Sequence, residues 1–216
     1  MKKLVIFDLD GTLLNTIADL AHSTNYALNK LGYPTHEIEK YNFMVGNGIN
    51  KLFERALPEE EKSKENVLRV RKEFVPYYDI HNADDSRPYP GIPELLSYLQ
   101  DAGVQIAVAS NKYQTATQKL VDHYFPEIHF TAVFGQREGV KVKPDPIIVS
   151  DILEVAKVAK EEVLYVGDSG VDMQTAANAG VTACGVTWGF RPRTELEKFN
   201  PSYIADTAGE IKKLIL

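Results

Sequence analysis

Apolar residues follow two rhythms along this chain. Residues 3–7 form a short, nearly continuous apolar run, the pattern of a strand buried on both faces, and it gives way to a turn at Gly11 and Thr12. The stretch that follows changes character. Ile17, Leu20, Ala21, Thr24, Ala27, Leu28 and Leu31 recur at helical spacing, and Gly32 stands where a C-terminal cap belongs. Further helices are expected over residues 36–43, in INKLFERAL after Gly48, and over residues 59–78, with no strand among them. The acid–base mixture of EEEKSKENVLRVRKEF reads as a solvated helix face.

After RPYPGIPELL the rhythm becomes strand, helix, strand. Strands are expected at residues 105–109, 132–134, 163–166 and 182–186, with a short last one at 203–205. Helices fall near 93–100, 114–123, 146–156 and 172–179. Such alternation predicts an α/β fold, a doubly wound parallel sheet with right-handed crossovers. The first strand then joins the same sheet as everything beyond about residue 83. The expected organisation is a core of residues 1–14 and 83–216, with residues 15–82 inserted as an all-helical module. No internal repeat or low-complexity segment interrupts it.

Composition narrows the function classes. The 216 residues include 24 basic and 30 acidic side chains, a net charge of −6, with no basic footprint for nucleic acid. An anionic substrate would need local attraction from a metal and a few well-placed cations. No apolar run approaches the roughly 20 residues that span a bilayer. MKKLVIFDLDG, with acids interrupting its apolar run, reads as a strand and not as an export signal. The single Cys184 excludes an intramolecular disulfide and fits a reducing cytoplasm, the expected location. A monomer or homodimer is expected, without nucleic-acid or membrane partners.

In open α/β sheets, ligands bind beyond the carboxyl ends of the strands. The first strand ends in Asp8-Leu9-Asp10-Gly11-Thr12; residues two apart in an extended chain point the same way, so Asp8 and Asp10 can face one site. The strand reaching Ala109 ends in Ser110-Asn111-Lys112. Lys141 and Lys143 follow the next strand, the latter in KPDP. The strand reaching Val166 ends in Gly167-Asp168-Ser169-Gly170-Val171-Asp172, and a helix starting near Gly170 would bring Asp168 and Asp172 to one site. Taken singly, Asp168 and Asp172 are ordinary helix caps, Ser110-Asn111 an ordinary turn, and a Lys beside a Pro a surface residue. Chance does not readily place carboxylates, a hydroxyl and an ammonium at successive strand ends, and the set points to a single site.

FDLDGT, VASNK, KPDP and GDSGVD, in this order, resemble the four motifs of the haloacid dehalogenase superfamily of phosphatases and phosphotransferases. The helical insertion is similar to that family's small first cap, so the resemblance covers the whole chain. It implies a Rossmann-like core in which Asp8 is the nucleophile that becomes an aspartyl-phosphate. Asp10 would be the general acid/base, first protonating the leaving oxygen and then activating water. Ser110 and Lys143, with the backbone of Asn111 and with Gly11 and Thr12, would bind the phosphoryl group. Mg²⁺ would be held by Asp8, the carbonyl of Asp10 and Asp168, with Asp172 as a ligand or directly behind one. The physical chemistry agrees. A carboxylate nucleophile and a phosphate repel, so a cation belongs between them. Covalent capture splits one slow hydrolysis into two easier steps, and a Lys, a hydroxyl and N–H groups suit the charge spread over the transferring phosphoryl oxygens.

Within the insertion, Gly46-Asn47-Gly48 ahead of a helix reads equally as a loop whose N–H groups close over an anion and as a plain turn. GVTWGFRP resembles a stretch of phosphoglycolate phosphatase-like members and would put Arg191 at the entrance, contacting substrate or, the slightly favoured reading, closing the loop. Lys51 and Lys141 read as surface residues and Trp188 as packing; no histidine has metal-ligand spacing. The resemblance thus points to a small phosphorylated metabolite, phosphoglycolate first. Pyrophosphatase or β-phosphoglucomutase-like phosphotransferase activity are the alternatives, and Asp10 disfavours the dehalogenase reaction. A phospho-receiver domain also phosphorylates an Asp on a doubly wound sheet; the insertion and Asp10 argue against it.

Overall fold

The structure, a computed structural model, describes residues 1–215. Chain order runs β1 (Leu4–Phe7), β2 (Leu14–Asn15), the helices α1 (Ile17–Lys30), α2 (Ile38–Tyr41), α3 (Ile49–Ala56) and α4 (Lys64–His81), then β3 (Arg87–Pro88). It continues with α5 (Ile92–Asp101), β4 (Gln105–Tyr113), α6 (Gln114–Tyr124), β5 (Ala132–Gln136) and α7 (Ile147–Ala156). The last part holds β6 (Val163–Gly167), α8 (Gly170–Ala179), β7 (Thr182–Val186), α9 (Arg193–Glu197), β8 (Tyr203–Ala205) and α10 (Ala208–Lys212). Among the described residues, no helix is long and apolar enough to cross a membrane.

A six-stranded sheet of order β5-β4-β1-β6-β7-β8 carries the fold. All its pairings are parallel, with Phe7 opposite Val108 on one side and Val166 on the other. The unbroken apolar runs follow from covering both faces. Val5 and Phe7 pack with Leu95, Leu99, Leu120 and Ile211 of α5, α6 and α10. Leu4 and Ile6, pointing the other way, pack with Ile148, Ile152, Met173 and Ala176 of α7 and α8. Each such side chain contributes about 1.5–3 kcal/mol by leaving water. The sheet grows outward from β1 through β4 to β5 and then restarts beyond β1 at β6, so the carboxyl ends of β1, β4 and β6 surround the point where the order reverses.

Helices α1–α4 bury an apolar cluster of their own, including Leu20, Leu28, Tyr41, Phe53, Val70, Phe74 and Tyr78. The charged positions of α4 face solvent, as its pattern implies. Three expectations are revised. The long charged helix does not begin at residue 59: after Pro58 a single 3₁₀ turn, Glu59–Glu61, stops, and Ser63 accepts a hydrogen bond from the N–H of Asn66 to start α4 afresh. The helix expected over 36–43 contracts to the single turn of α2. An unforeseen antiparallel pair, Leu14 with Pro88 and Asn15 with Arg87, ties together the two passages between the sheet and the helices. Two residues on each side are too few to leave a pattern. Nearby, Asp19 of α1 accepts hydrogen bonds from the Asp85 and Ser86 N–H groups and the Ser86 hydroxyl, clamping the return passage.

Candidate active site

β1 delivers Asp8 to the reversal point, and three core elements enclose it. Lys143, 2% exposed, donates from Nζ to the Ala109 carbonyl at 2.9 Å and to Asp172 Oδ1 at 2.7 Å, and pairs with Asp8 Oδ1 at 2.9 Å. Three acceptors match the three N–H bonds of an ammonium. Asp8 Oδ1 also accepts from the Leu9 N–H at 2.7 Å. Asp172 combines two tasks that the sequence left as alternatives. Its Oδ2 accepts from the backbone N–H and hydroxyl of Ser169, closing a capping box at the start of α8, while its Oδ1 faces Lys143.

Asp168 is held from the other direction. The Phe190 N–H donates to its Oδ2 at 2.7 Å and the Thr12 hydroxyl to its Oδ1 at 3.3 Å. Gly11, at φ +86°, lies so close that any Cβ there would collide with the Asp168 carboxyl, so only glycine fits the turn. Burial first, then the neighbouring Asp172 carboxylate, raises Asp168 to about 7. The same two causes, in the same order, push Asp8 well above the usual carboxylate range despite Lys143. Burial alone would lower Lys143, but Asp172 and Asp8 outweigh it and the net direction is upward.

Asp8, Asp168 and Asp172 can each offer an oxygen, all within 4.8 Å of one another, and all three are buried. Three crowded carboxyl groups against one lysine leave a local excess of acid, and an all-oxygen donor set suits a hard divalent cation such as Mg²⁺. The residues present therefore fit that ion. A second grouping, Asp19, His22 and Asp85, is exposed at His22 and Asp85, and its Asp19 is already taken up by the clamp described above.

Asp10 has different surroundings. Lys112 Nζ donates to its two carboxylate oxygens at 2.9 and 3.1 Å, and the Thr16 hydroxyl donates to Oδ1 at 2.7 Å. Lys112 is 4% exposed and lies 4.9 Å from the centroid of the Tyr78 ring of α4. It belongs to a strand longer than expected: β4 runs on through Tyr113, with its register against β5 broken between Ala109 and Tyr113. Such an irregularity re-aims side chains. Asn111 is also a tie, donating from Nδ2 to the carbonyls of Gly46 and Lys143 at 3.0 and 3.1 Å and accepting from the Lys143 N–H at 2.8 Å.

A cleft of about 410 Å³, its open mouth included, lies over these groups. Asp8, Asp10, Ser110, Asn111 and Lys112 line its floor; Leu20, Val45, Gly46, Gly48, Ile49 and Leu52 line its roof. Two pairs of expected contact residues are placed elsewhere. Asn47 accepts from Arg55 Nη2 at 2.8 Å, and Arg191 donates to the Val45 carbonyl at 2.8 Å beside the Phe43 ring and Glu195. Arg55, which also donates to the Met44 carbonyl, and Arg191 supply the donors that the carbonyls of the 43–48 loop need, and neither Asn47 nor Arg191 lines the cleft. Gly11 and Thr12 likewise support Asp168 from behind and do not reach the cleft surface. Lys141 and Lys51 are surface residues paired with Asp145 and Glu54, and Trp188 packs on the core while donating to the Thr12 carbonyl.

Lys112, Thr16 and the Phe190 N–H escaped the sequence reading. For Lys112 a signal existed: it stands two residues after Ser110, and the period of a strand puts them on the same side.

The model of the haloacid dehalogenase-like hydrolases matches residues 5–186. A phosphoglycolate phosphatase of Vibrio parahaemolyticus is 32% identical over 218 residues, covering 99% of this chain and 96% of its own, and one of Mesorhizobium japonicum is 31% identical, covering 94% and 90%. A solved structure from Lactobacillus delbrueckii, provisionally named a phosphoglycolate phosphatase, is 34% identical and superposes with a TM-score of 0.93 over 100% of this chain and 99% of that one. With the motif residues gathered at one sheet edge and the match spanning most of its length, the chain belongs to the haloacid dehalogenase-like hydrolases.

Proposed function

We propose that this hydrolase is a Mg²⁺-dependent phosphatase of small phosphate monoesters, that it works through an aspartyl-phosphate on Asp8, and that phosphoglycolate is its substrate. In this reading residues 1–14 and 83–216 are the catalytic core and residues 15–82 a cap over it. One observation carries the proposal: Asp8 and Asp10 line the same cleft, yet each has its own lysine. A nucleophile and a proton carrier need separate environments, and these two have them.

The Asp8 carboxylate, anchored through Oδ1 by Lys143 and the Leu9 N–H, presents its other oxygen to the phosphorus. The Ser110 hydroxyl at the cleft floor and the charge of Lys143, held behind Asp8, stabilise the transferring phosphoryl oxygens. Asp10 gives its proton to the leaving alkoxide and then takes one from the water that hydrolyses the acyl-phosphate. Mg²⁺, when bound by Asp8, the Asp10 carbonyl and Asp168, supplies the positive charge that lets a carboxylate approach a phosphate dianion. The apolar roof of Leu20, Val45, Ile49 and Leu52 excludes water and bulky phosphorylated partners. The likeness to phosphoglycolate phosphatases over nearly the full chain supports the choice of substrate.

The test is a panel of phosphoglycolate, pyrophosphate, sugar phosphates and p-nitrophenyl phosphate with Mg²⁺. Repeated phosphate release, highest in kcat/KM for phosphoglycolate, is the expected result; a single self-labelling event would overturn the phosphatase reading, and a preference for another substrate would overturn the assignment to phosphoglycolate. Asp8→Asn should fold and lose on the order of 10⁴-fold or more in turnover, the scale seen when a nucleophile is removed. A phosphorylated intermediate on that variant would remove Asp8 from its role.

A further inference from the structure

We propose that Lys112 is the positioning residue of the Asp10 carboxylate, and that through Tyr78 it makes the orientation of Asp10 depend on the seating of helix α4. The proposal rests on the phosphatase reading of Asp8 and Asp10. None of the motif roles uses this lysine, because Lys143 already serves Asp8.

A nearly buried ammonium needs acceptors for its N–H groups, and among the described residues the only carboxyl group paired with Lys112 is that of Asp10. The contact is two-pronged, 2.9 and 3.1 Å to the two oxygens, which fixes rotation about the carboxylate as well as its place. Without it, Asp10 keeps one donor among the described residues, the Thr16 hydroxyl on Oδ1, and its terminal torsion is free to swing. Proton transfer is sensitive to such freedom, since a proton carrier must stay within hydrogen-bond reach of the leaving oxygen.

The second contact comes from the other part of the molecule. Lys112 lies over the Tyr78 ring, and Tyr78 is wholly buried in the apolar cluster of α1–α4. The Tyr78 hydroxyl makes no hydrogen bond among the described residues, so this position engages Lys112 with its ring face alone. Lys112 therefore connects β4 of the core, the acid/base carboxylate and α4. A shift of α4 would remove the ring from one side of the ammonium and loosen the group that aims Asp10.

The experiment compares leaving groups. p-Nitrophenolate departs without needing a proton, whereas an alkoxide such as that of phosphoglycolate needs one. Lys112→Met keeps most of the length of the unbranched side chain and removes the charge. It should lower kcat/KM for phosphoglycolate by about 100-fold, the lower range for general acid catalysis, while the pre-steady-state burst of p-nitrophenol slows by less than about 10-fold. KM should change little. Lys112→Arg, which keeps the charge, should fold and fall between the two. Tyr78→Leu should give a smaller loss with the same leaving-group selectivity, and Tyr78→Phe should match wild type. Equal losses on both leaving groups, or no loss on either, would overturn the positioning role. A Tyr78→Leu variant with wild-type leaving-group dependence would overturn the link to α4. Absence of turnover in the unmutated protein would instead overturn the phosphatase reading, so the two failures are distinguishable.

Discussion

Lys143 and Lys112 are both buried ammonium groups beside a carboxylate of the same short segment, yet they are enclosed by different parts of the chain. Lys143 finds all its partners in the sheet-based core: the Ala109 carbonyl of β4, Asp172 of α8 and Asp8 after β1. Lys112 has Asp10 on one side and Tyr78 of α4 on the other. The partners of Lys143 all lie outside residues 15–82; those of Lys112 do not. The two lysines thus differ in whether a helix of residues 15–82 takes part in enclosing them.

The largest effect should come from breaking the Lys143 side. Lys143→Met leaves Asp8, Asp168 and Asp172 buried together without their counter-ion. Removing one partner of a buried pair costs about 3–5 kcal/mol, so the urea midpoint should drop sharply. Lys112→Met, whose Asp10 partner lies at the cleft surface, should lose much less stability. Equal losses would erase the distinction between the two lysines.

Magnesium sharpens the comparison through pH. Asp168 is raised to about 7 and Asp8 is raised as well, by burial first and then by the neighbouring Asp172 carboxylate. A raised carboxyl stabilises the fold fully below its unfolded value, about 4, and loses that contribution as pH rises through its folded value. Chelator-treated protein should therefore lose thermal stability between pH 5 and about 8. Mg²⁺ should restore it, with a gap in Tm that widens as pH rises. A gap independent of pH would mean that the ion binds somewhere other than Asp8 and Asp168.

The smallest effect is expected at the roof. Gly48 holds φ +84° and ψ 163°, a region that only glycine enters without strain. A Cβ there would meet Gln136 Oε1 at 3.4 Å and the Asn111 carbonyl at 3.5 Å, close contacts and no collision. Gly48→Ala should cost about 1–3 kcal/mol of backbone strain, read as a rise in KM with the burst rate nearly unchanged. An unchanged KM would show that this loop does not help close the cleft.

Most of the sheet was legible because parallel strands covered on both faces write unbroken apolar runs, and β1, β6 and β7 do so. The extension of β4 through Ser110, Asn111 and Lys112 was not, because polar residues in a strand look like its end. The short pair β2–β3, the single turn of α2 and the restart of α4 at Ser63 were lost for the opposite reason: they are too short to show a period.

At the site, the sequence by itself determined which residues reach one edge of the sheet. Asp8, Ser110 and Asp168 follow from strand ends, since backbone periodicity is local, and Lys143 from the KPDP motif that resembles the family's. What each polar atom then touches was decided only by the tertiary structure. Lys112 and Asp10 are 102 residues apart, and Arg191 and Val45 are separated by 146. Nothing in the local pattern around Arg191, Thr12 or Lys112 says whether its donor will meet substrate, a loop carbonyl or a carboxylate. That choice belongs to whichever buried acceptor lacks a partner once the helices have packed, because an unmet polar group in the interior costs more than any preference the residue carries along the chain.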